Sequence, residues 1–260
     1  MCRLLGIRAN KPVDLNFSMT GFRPYGAEHS DGWGIGWYER GETHLYKEPL
    51  AATTSLSYLE HSANAVSDIF LCHVRKATQG ANCLENSHPF RQDPWLFAHN
   101  GNVDRSLLLA LTGAKKHELE GATDSEVLFI WLLRCIKAET GDVPAGLARA
   151  LKLIGRTHFS CLNFLLSDGQ RLFAYRDATC KPDYYSLYFV DRHPGNFHQA
   201  TAALAKETEA FVESLRARNE RAIVVCSERL TGEHEPWQLL GLGELLTVQA
   251  DLKTSLEKIS

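Results

Sequence analysis

Thr123-Asp124-Ser125-Glu126 runs straight into Val127-Leu128-Phe129-Ile130-Trp131-Leu132-Leu133, the longest apolar run in the chain. The first four residues read as a capping box, with Thr123 and Glu126 satisfying each other's free amides at a helix start. The helix they open is expected to reach about Glu139 and is apolar on nearly every face. Such a helix has to be buried between layers of other structure. At seven residues the run falls far short of the roughly 20 that span a bilayer. The chain must therefore build layers around this helix.

The material for those layers is mostly strand. Short apolar or alternating stretches read as strands at Arg3–Ala9, Gly34–Tyr38, Thr43–Lys47, Ile69–Arg75 and Trp95–His99. More follow at Ser160–Leu166, Arg171–Tyr175, Tyr184–Val190, Ala222–Cys226 and Glu244–Val248. A second helix is expected from near Asp142, with Pro144 in its first turn, to near Gly155. Many strands around few helices, without regular alternation, point to a layered α+β fold rather than a doubly wound sheet. No Pro/Ser-rich linker, repeat or low-complexity tract divides the chain, so residues 1–260 are expected to form a single domain. Two connections, Gly21 to Asp31 and Thr78 to Pro94, are long for such a domain, and loops of that length often carry function.

Composition narrows the class of function. A net charge of -3 and the absence of any Lys/Arg run argue against a nucleic-acid footprint. No charged leader with an apolar core opens the chain, so secretion is not expected. The seven cysteines are odd in number, form no C-x-x-C pair and lie partly in apolar runs, which suits reduced thiols in the cytoplasm. No membrane association, no cofactor and no metal are expected. His73, His88 and His99 lack an H-E-x-x-H or Cys/His spacing that would make a zinc site.

Three segments place polar groups at the ends of predicted elements. His73-Val74-Arg75-Lys76-Ala77-Thr78 closes one strand, His99-Asn100-Gly101-Asn102 closes another, and Asp124 begins the buried helix. Each has a plain reading. Arg75 alone is a surface cation or half of an ion pair, Asn100-Gly101 a tight turn, and Asp124 an acid complementing a helix dipole. His73, His88 and His99 can each be hydrogen-bonded core histidines. Cys2 alone is a small hydrophobe starting a strand.

Together they make a chemical set. A thiol attacks an acyl group once it is thiolate, and needs a base. If Met1 is removed, the α-amine of Cys2, with an ordinary pKa of roughly 8, lies on the same residue. The Asn100 amide and the Gly101 N–H are adjacent donors for an oxyanion. A substrate with an amino-acid head wants a guanidinium and a carboxylate; Arg75 and Asp124 supply them, with the Thr78 hydroxyl as a further donor.

These residues lie in motifs whose order resembles the class II glutamine amidotransferases, members of the N-terminal nucleophile hydrolases. The matching segments are MCRLLGI, SDGWGIGWY, HVRKATQG, NSHPF, AHNGN and TDSE, with SERLTGEHEPWQLLGLGELLTV resembling the closing segment of a stand-alone branch. The resemblance implies a four-layer αββα sandwich with two antiparallel sheets between helical layers. It implies removal of Met1, Cys2 as nucleophile with its own amine as base, Asn100 and Gly101 as oxyanion hole, Arg75 and Thr78 for the substrate carboxylate, and Asp124 for its ammonium. His29, His73, His88 and His99 are possible supporting residues.

The chain departs from better-known members at Gln79, where they carry His, and at Glu28-His29-Ser30-Asp31, where they carry Arg-Gly-Tyr-Asp. Hydrolysis of glutamine, or of a γ-glutamyl peptide or conjugate, is the expected activity. A separate ammonia-consuming synthase subunit is a possible partner, since 260 residues leave no room for a fused one. The aromatics Phe22, Tyr25 and Trp33 are candidates for a wider pocket. The alternatives are a non-catalytic glutamine-binding regulatory module and a redox-sensing thiol, the latter without a resolving Cys.

Overall fold

Alternation along one strand already dictates the layers. In Arg3–Asp14 (β1), Leu4 joins an apolar cluster with Ile69, Leu71, Leu96 and Leu165, whereas Leu5 and Ile7 join another with Met19, Phe22 and Phe70. Successive side chains leave a strand on opposite faces, so a strand apolar on both must be covered on both. The computed structural model describes residues 2–196, 211, 213–215, 218–232 and 235–259.

The first sheet adds Trp33–Glu39 (β2), Glu42–Glu48 (β3), Val66–Val74 (β4), Tyr188–Arg192 (β9), Ala222–Cys226 (β10) and Gln238–Leu239 (β11) to β1. Its order is β11-β9-β10-β1-β4-β2-β3, which puts β1 in the interior. The second sheet contains Phe90–Gln92 (β5), Trp95–Val103 (β6), Phe159–Ser167 (β7), Leu172–Arg176 (β8), Glu244–Val248 (β12) and Thr254–Lys258 (β13). Its order is β13-β12-β8-β7-β6-β5. Neighbouring strands in both sheets run antiparallel.

The cluster around Leu4 draws side chains from both sheets and lies between them. Outside the first sheet pack Asn16–Phe22 (α1) and Leu56–Asn64 (α2), which contribute Met19, Phe22 and Tyr58. Outside the second pack Arg105–Thr112 (α3), Asp124–Ala138 (α4) and Val143–Ile154 (α5). The result is an αββα sandwich of two antiparallel sheets. No described helix is long and apolar enough to cross a membrane.

Most expected strands form, with shifted ends, and β9 begins at Tyr188 rather than Tyr184. One shift matters for the site. β6 continues through Asn100, Gly101 and Asn102 to Val103, so the segment expected to close the strand is part of its ladder with β7. Helices α1, α2 and α3 were not expected. For α3 the signals are local: the Asp104 carboxylate accepts from the Ser106 and Leu107 amides, and Gly113 closes the helix at φ +59.

α4 is buried as expected, with Val127, Leu128, Phe129, Leu132 and Ile136 in the core, while Arg134 and Lys137 are exposed. Its cap differs from a capping box. Thr123 Oγ1 accepts the Glu126 N–H at 3.3 Å, but the Glu126 carboxylate turns to the amides of Glu120 at 2.6 Å and Gly121 at 3.0 Å. Two free amides in the preceding loop outcompete the one at the cap.

Candidate active site

Cys2 sits just ahead of β1, at the same end as Val74, the last residue of β4 and the register partner of Arg3. Its half-buried Sγ accepts the Lys76 N–H at 3.3 Å and lies 3.4 Å from the Lys76 carbonyl. Burial raises the thiol above its ordinary pKa, and the Lys76 amide and the Arg75 and Arg3 cations pull it partly back. A thiol held neutral in this way needs a base before it can attack. Met1, whose removal would free the Cys2 amine, lies outside the described residues.

Arg75 follows β4 directly, and its amide donates to the Gly32 carbonyl at 2.8 Å. Asp31 completes that stitch, its amide reaching Arg75 O at 3.1 Å and its carboxylate taking the Ala77 N–H at 2.8 Å. The buried guanidinium turns to the loop ahead of it. Nη2 donates to Gln79 O at 2.9 Å and Gly80 O at 3.4 Å, and Nη1 to Ala81 O at 3.3 Å and Asn82 Oδ1 at 3.4 Å. Thr78 Oγ1 donates to Asn102 Oδ1 at 3.0 Å.

The second sheet faces this group. Asn100 and Gly101 lie within β6, opposite Asn163 and Leu162 of β7. Asn100 is buried, and its side-chain Nδ2 has no hydrogen-bond partner among the described residues. A Cβ at Gly101 would lie 1.9 Å from the Cys161 carbonyl oxygen and 2.8 Å from His99 Nε2, so only glycine lets the strand pass here. The Asp124 carboxylate, at the start of α4, accepts the Val103 N–H at 2.7 Å and the Ser125 N–H at 3.0 Å. Both amides aim it, and a carboxylate keeps further lone pairs for a ligand.

One cavity of about 70 Å³ is lined by Cys2, Arg75, Thr78, Asn100, Gly101 and Asp124, together with Gln79, His88, His99 and Tyr185. The fold thus gathers residues as far apart in the chain as Cys2 and Tyr185 around one small space. His73 and His29 lie outside that lining. His73 packs against His88, ring centres 4.3 Å apart and the rings tilted by 36°, and His29 is buried with its Nδ1–H donating to Tyr25 O at 2.5 Å. His99 Nδ1 pairs with Ser125 Oγ at 2.9 Å. Burial lowers the pKa of His73 to about 3, with Arg75 adding to the effect; His88 falls well below its usual value and His99 falls too, mainly through burial. Among the described residues, no group of three or more His, Cys, Asp or Glu is arranged to hold a metal.

The aromatics suggested for a wider pocket do not form one. Phe22 and Trp33 are sealed in the core outside the first sheet, and Tyr25 packs against them. Tyr185 is the aromatic on the cavity wall. Two residues with positioning work went unassigned in the sequence. Asn86 donates from Nδ2 to Ala81 O at 3.0 Å and accepts the Ala122 N–H on Oδ1 at 2.8 Å, tying the Arg75 loop to the segment leading into Asp124. Asp31 is the other. Their motifs, NSHPF and SDGWGIGWY, were the available signal.

A two-sheet αββα sandwich with a thiol at the start of an interior strand has the architecture of N-terminal nucleophile hydrolases. Residues 1–258 match the family described as "Glutamine amidotransferases class-II", and the chain belongs to that family. It is 33% identical to the YafJ protein of Escherichia coli (strain K12) over 262 residues, covering 94% of this chain and 96% of that one. A solved glutamine aminotransferase class-II domain protein from Silicibacter pomeroyi superposes with a TM-score of 0.63 at 25% identity, covering 100% of both chains. The gamma-glutamyl-hercynylcysteine sulfoxide hydrolase of Mycobacterium tuberculosis is 28% identical over 151 residues, 58% of this chain and 60% of that protein. Family and relatives together identify the chain as an amidohydrolase-like enzyme.

Proposed function

We propose that the chain hydrolyses a γ-glutamyl amide through a thioester on Cys2, exposed by removal of Met1. The observation that carries this reading is the single cavity lined by Cys2, Arg75, Thr78, Asn100, Gly101 and Asp124. The Cys2 α-amine takes the thiol proton, and the thiolate attacks the γ-carbonyl carbon. The oxyanion is met by Asn100 Nδ2, which is buried and has no partner among the described residues, and by the Gly101 N–H. As the C–N bond breaks, the proton passes to the departing nitrogen, leaving the glutamyl thioester. Water then attacks the thioester, the sulfur leaves and recovers its proton, and glutamate departs. Asp124 takes the substrate ammonium. Arg75 takes its carboxylate by exchanging the loop contacts it makes through its guanidinium, three of which are 3.3–3.4 Å long.

The amide nitrogen carries hydrogens in glutamine and a larger group in a γ-glutamyl conjugate. Tyr185 on the cavity wall supports including conjugates in the substrate class, as does the name of the mycobacterial relative. Ammonia, where it is the product, would pass to a separate synthase subunit. Seven free cysteines support a reducing, cytoplasmic setting.

Intact mass and turnover test the reading together. Active protein should lack one Met residue, release glutamate, and lose activity when the diazoketone analogue of glutamine alkylates Cys2. Cys2→Ala should cut turnover by roughly 10⁴-fold or more while still binding glutamine. Full activity in protein that retains Met1 overturns it.

A further inference from the structure

Cys2 precedes the first ladder residue of β1, so something beyond the sheet must keep it beside Lys76. On the β4 side its Sγ meets the Lys76 N–H. On the β10 side the ladder stops at Cys226, opposite Leu5, three residues short of Cys2. Ser227 continues the pairing by another route. Its Oγ accepts the Leu4 N–H at 3.0 Å, and its own N–H donates to Leu4 O at 3.0 Å. One residue thus closes on both backbone groups of Leu4, the first with its side chain. Ser227 is fully buried and is itself held by the Ser186 hydroxyl, which donates to the Ser227 carbonyl at 2.8 Å.

Glu228 reaches one residue nearer the thiol. Its Oε1 lies 2.9 Å from Arg3 Nη2, while Arg3 Nη1 donates to the Cys2 carbonyl at 3.4 Å. The same guanidinium lies over the Tyr25 ring, 5.6 Å from its centre. These contacts fix Arg3, and through it the Cys2 backbone, from the side opposite Lys76. The segment after the pair is anchored independently. Glu235 takes Arg192 at 2.7 Å and the Thr231 hydroxyl at 2.7 Å, and Trp237 Nε1 donates to Thr231 Oγ1 at 2.9 Å. Glu233 and His234 of this segment lie outside the described residues.

We propose that Ser227 and Glu228 are positioning residues for the nucleophile, clamping Leu4 and Arg3 so that Cys2 is held in attacking geometry. This inference rests on Cys2 being the nucleophile. Neither residue lines the cavity, so their loss should move kcat and leave substrate binding, set by Arg75 and Asp124, almost unchanged. A misplacement of about 1 Å at a reacting atom costs up to roughly 100-fold in rate.

The test measures kcat, KM and melting temperature for Ser227→Ala, Ser227→Thr, Glu228→Gln, Thr231→Val and Cys2→Ala in the full chain, with glutamine as substrate. Ser227→Ala should lose about 10- to 100-fold in kcat with KM within about 2-fold. Ser227→Thr, which keeps the acceptor oxygen, should recover most of that loss. Glu228→Gln is the second handle if Ser227→Ala fails to fold, and should lose roughly 3- to 10-fold in kcat. Thr231→Val, at the far end of the segment, should lower the melting temperature but not kcat. Unchanged kcat in folded Ser227→Ala or in Glu228→Gln overturns the clamp, as does an equal kcat loss in Thr231→Val. Activity surviving in Cys2→Ala overturns the nucleophile reading instead, whatever the other variants do.

Discussion

The two sheets bring groups to the cavity from different places along their strands. The seven-stranded sheet supplies residues beyond its strand ends, Cys2 ahead of β1 and Arg75 after β4. The six-stranded sheet supplies Asn100 and Gly101 from inside β6, where the ladder with β7 already fixes the backbone. Residues past a strand end lie outside the ladder and depend on scattered single contacts for position: the Lys76 N–H and the Asp31 backbone and carboxylate on one flank, Ser227 and Glu228 on the other. Residues inside the ladder need no such help, but the strand must shed its side chain at Gly101 to let Cys161 approach. The tethered half should therefore respond to substitution by degrees, and the laddered half abruptly.

The sharpest contrast is within β6. Asn100→Ala should keep the fold and lower kcat by about 10²- to 10³-fold, the usual loss for one oxyanion donor. Gly101→Ala, one residue on, should instead lose the folded chain, because a methyl group would sit 1.9 Å from the Cys161 oxygen. Circular dichroism and turnover on the two variants would separate these outcomes. If Gly101→Ala folds and turns over normally, the laddered half is softer than described.

Asp124→Asn comes next in size. The amide can still accept the Val103 N–H, so the melting temperature should change little, while kcat/KM should fall roughly 10- to 100-fold through loss of a charge-assisted bond to the ammonium. Steady-state kinetics with glutamine would read this mainly as a raised KM.

A pH series probes the space behind both halves. His73, His88 and His99 are buried with depressed pKa values, His73 at about 3, so in the folded state they resist protonation. Unfolded histidine titrates near 6.5. The unfolded chain therefore binds more protons as acid is added, and stability should be flat above about pH 6.5 and fall progressively below it towards the folded values. Urea midpoints at pH 7 and pH 5 would show the slope, and His73→Gln should remove part of it.

The smallest effect is expected at the helix start. Thr123→Ala deletes the cap on α4 and should cost about 1 kcal/mol, read from the denaturation midpoint. The Glu126 carboxylate works on the loop ahead rather than on the cap, so Glu126→Gln should loosen residues 120–121 instead.

What could be read from the sequence follows the range of the forces involved. The buried helix α4 and most strands were legible because their signals are local in period and composition. Cys2, Arg75, Asn100, Gly101 and Asp124 could be singled out because their residue types suit one reaction, and the fold brings them around one cavity. Asn100-Gly101 read as a turn because that pair favours turns locally, and only pairing with β7 makes it strand. The helper residues were hidden for a different reason. Asn86 acts on Ala122, 36 positions away, and Ser227 on Leu4, 223 away, through side chain to backbone bonds that leave no periodic trace. Phe22 and Trp33 were suggested for the pocket because they flank the right loop, yet their ring partners lie in the outer core, Tyr25 for Phe22 and Tyr58 for Trp33.

Gly34 carries a consequence for anyone building variant libraries of this enzyme. A Cβ there would lie 2.2 Å from the His88 carbonyl oxygen, so SDGWGIGWY and NSHPF meet closely at this point. Because the partner is a main-chain atom, no choice of residue at 88 makes room for a side chain at 34. Position 34 is closed to randomisation by any single compensating change, and a library reaching it must rebuild the loop around 88 in the same step. The side chain at 88 carries no such restriction from 34, so the two ends of one contact have very different freedom to vary.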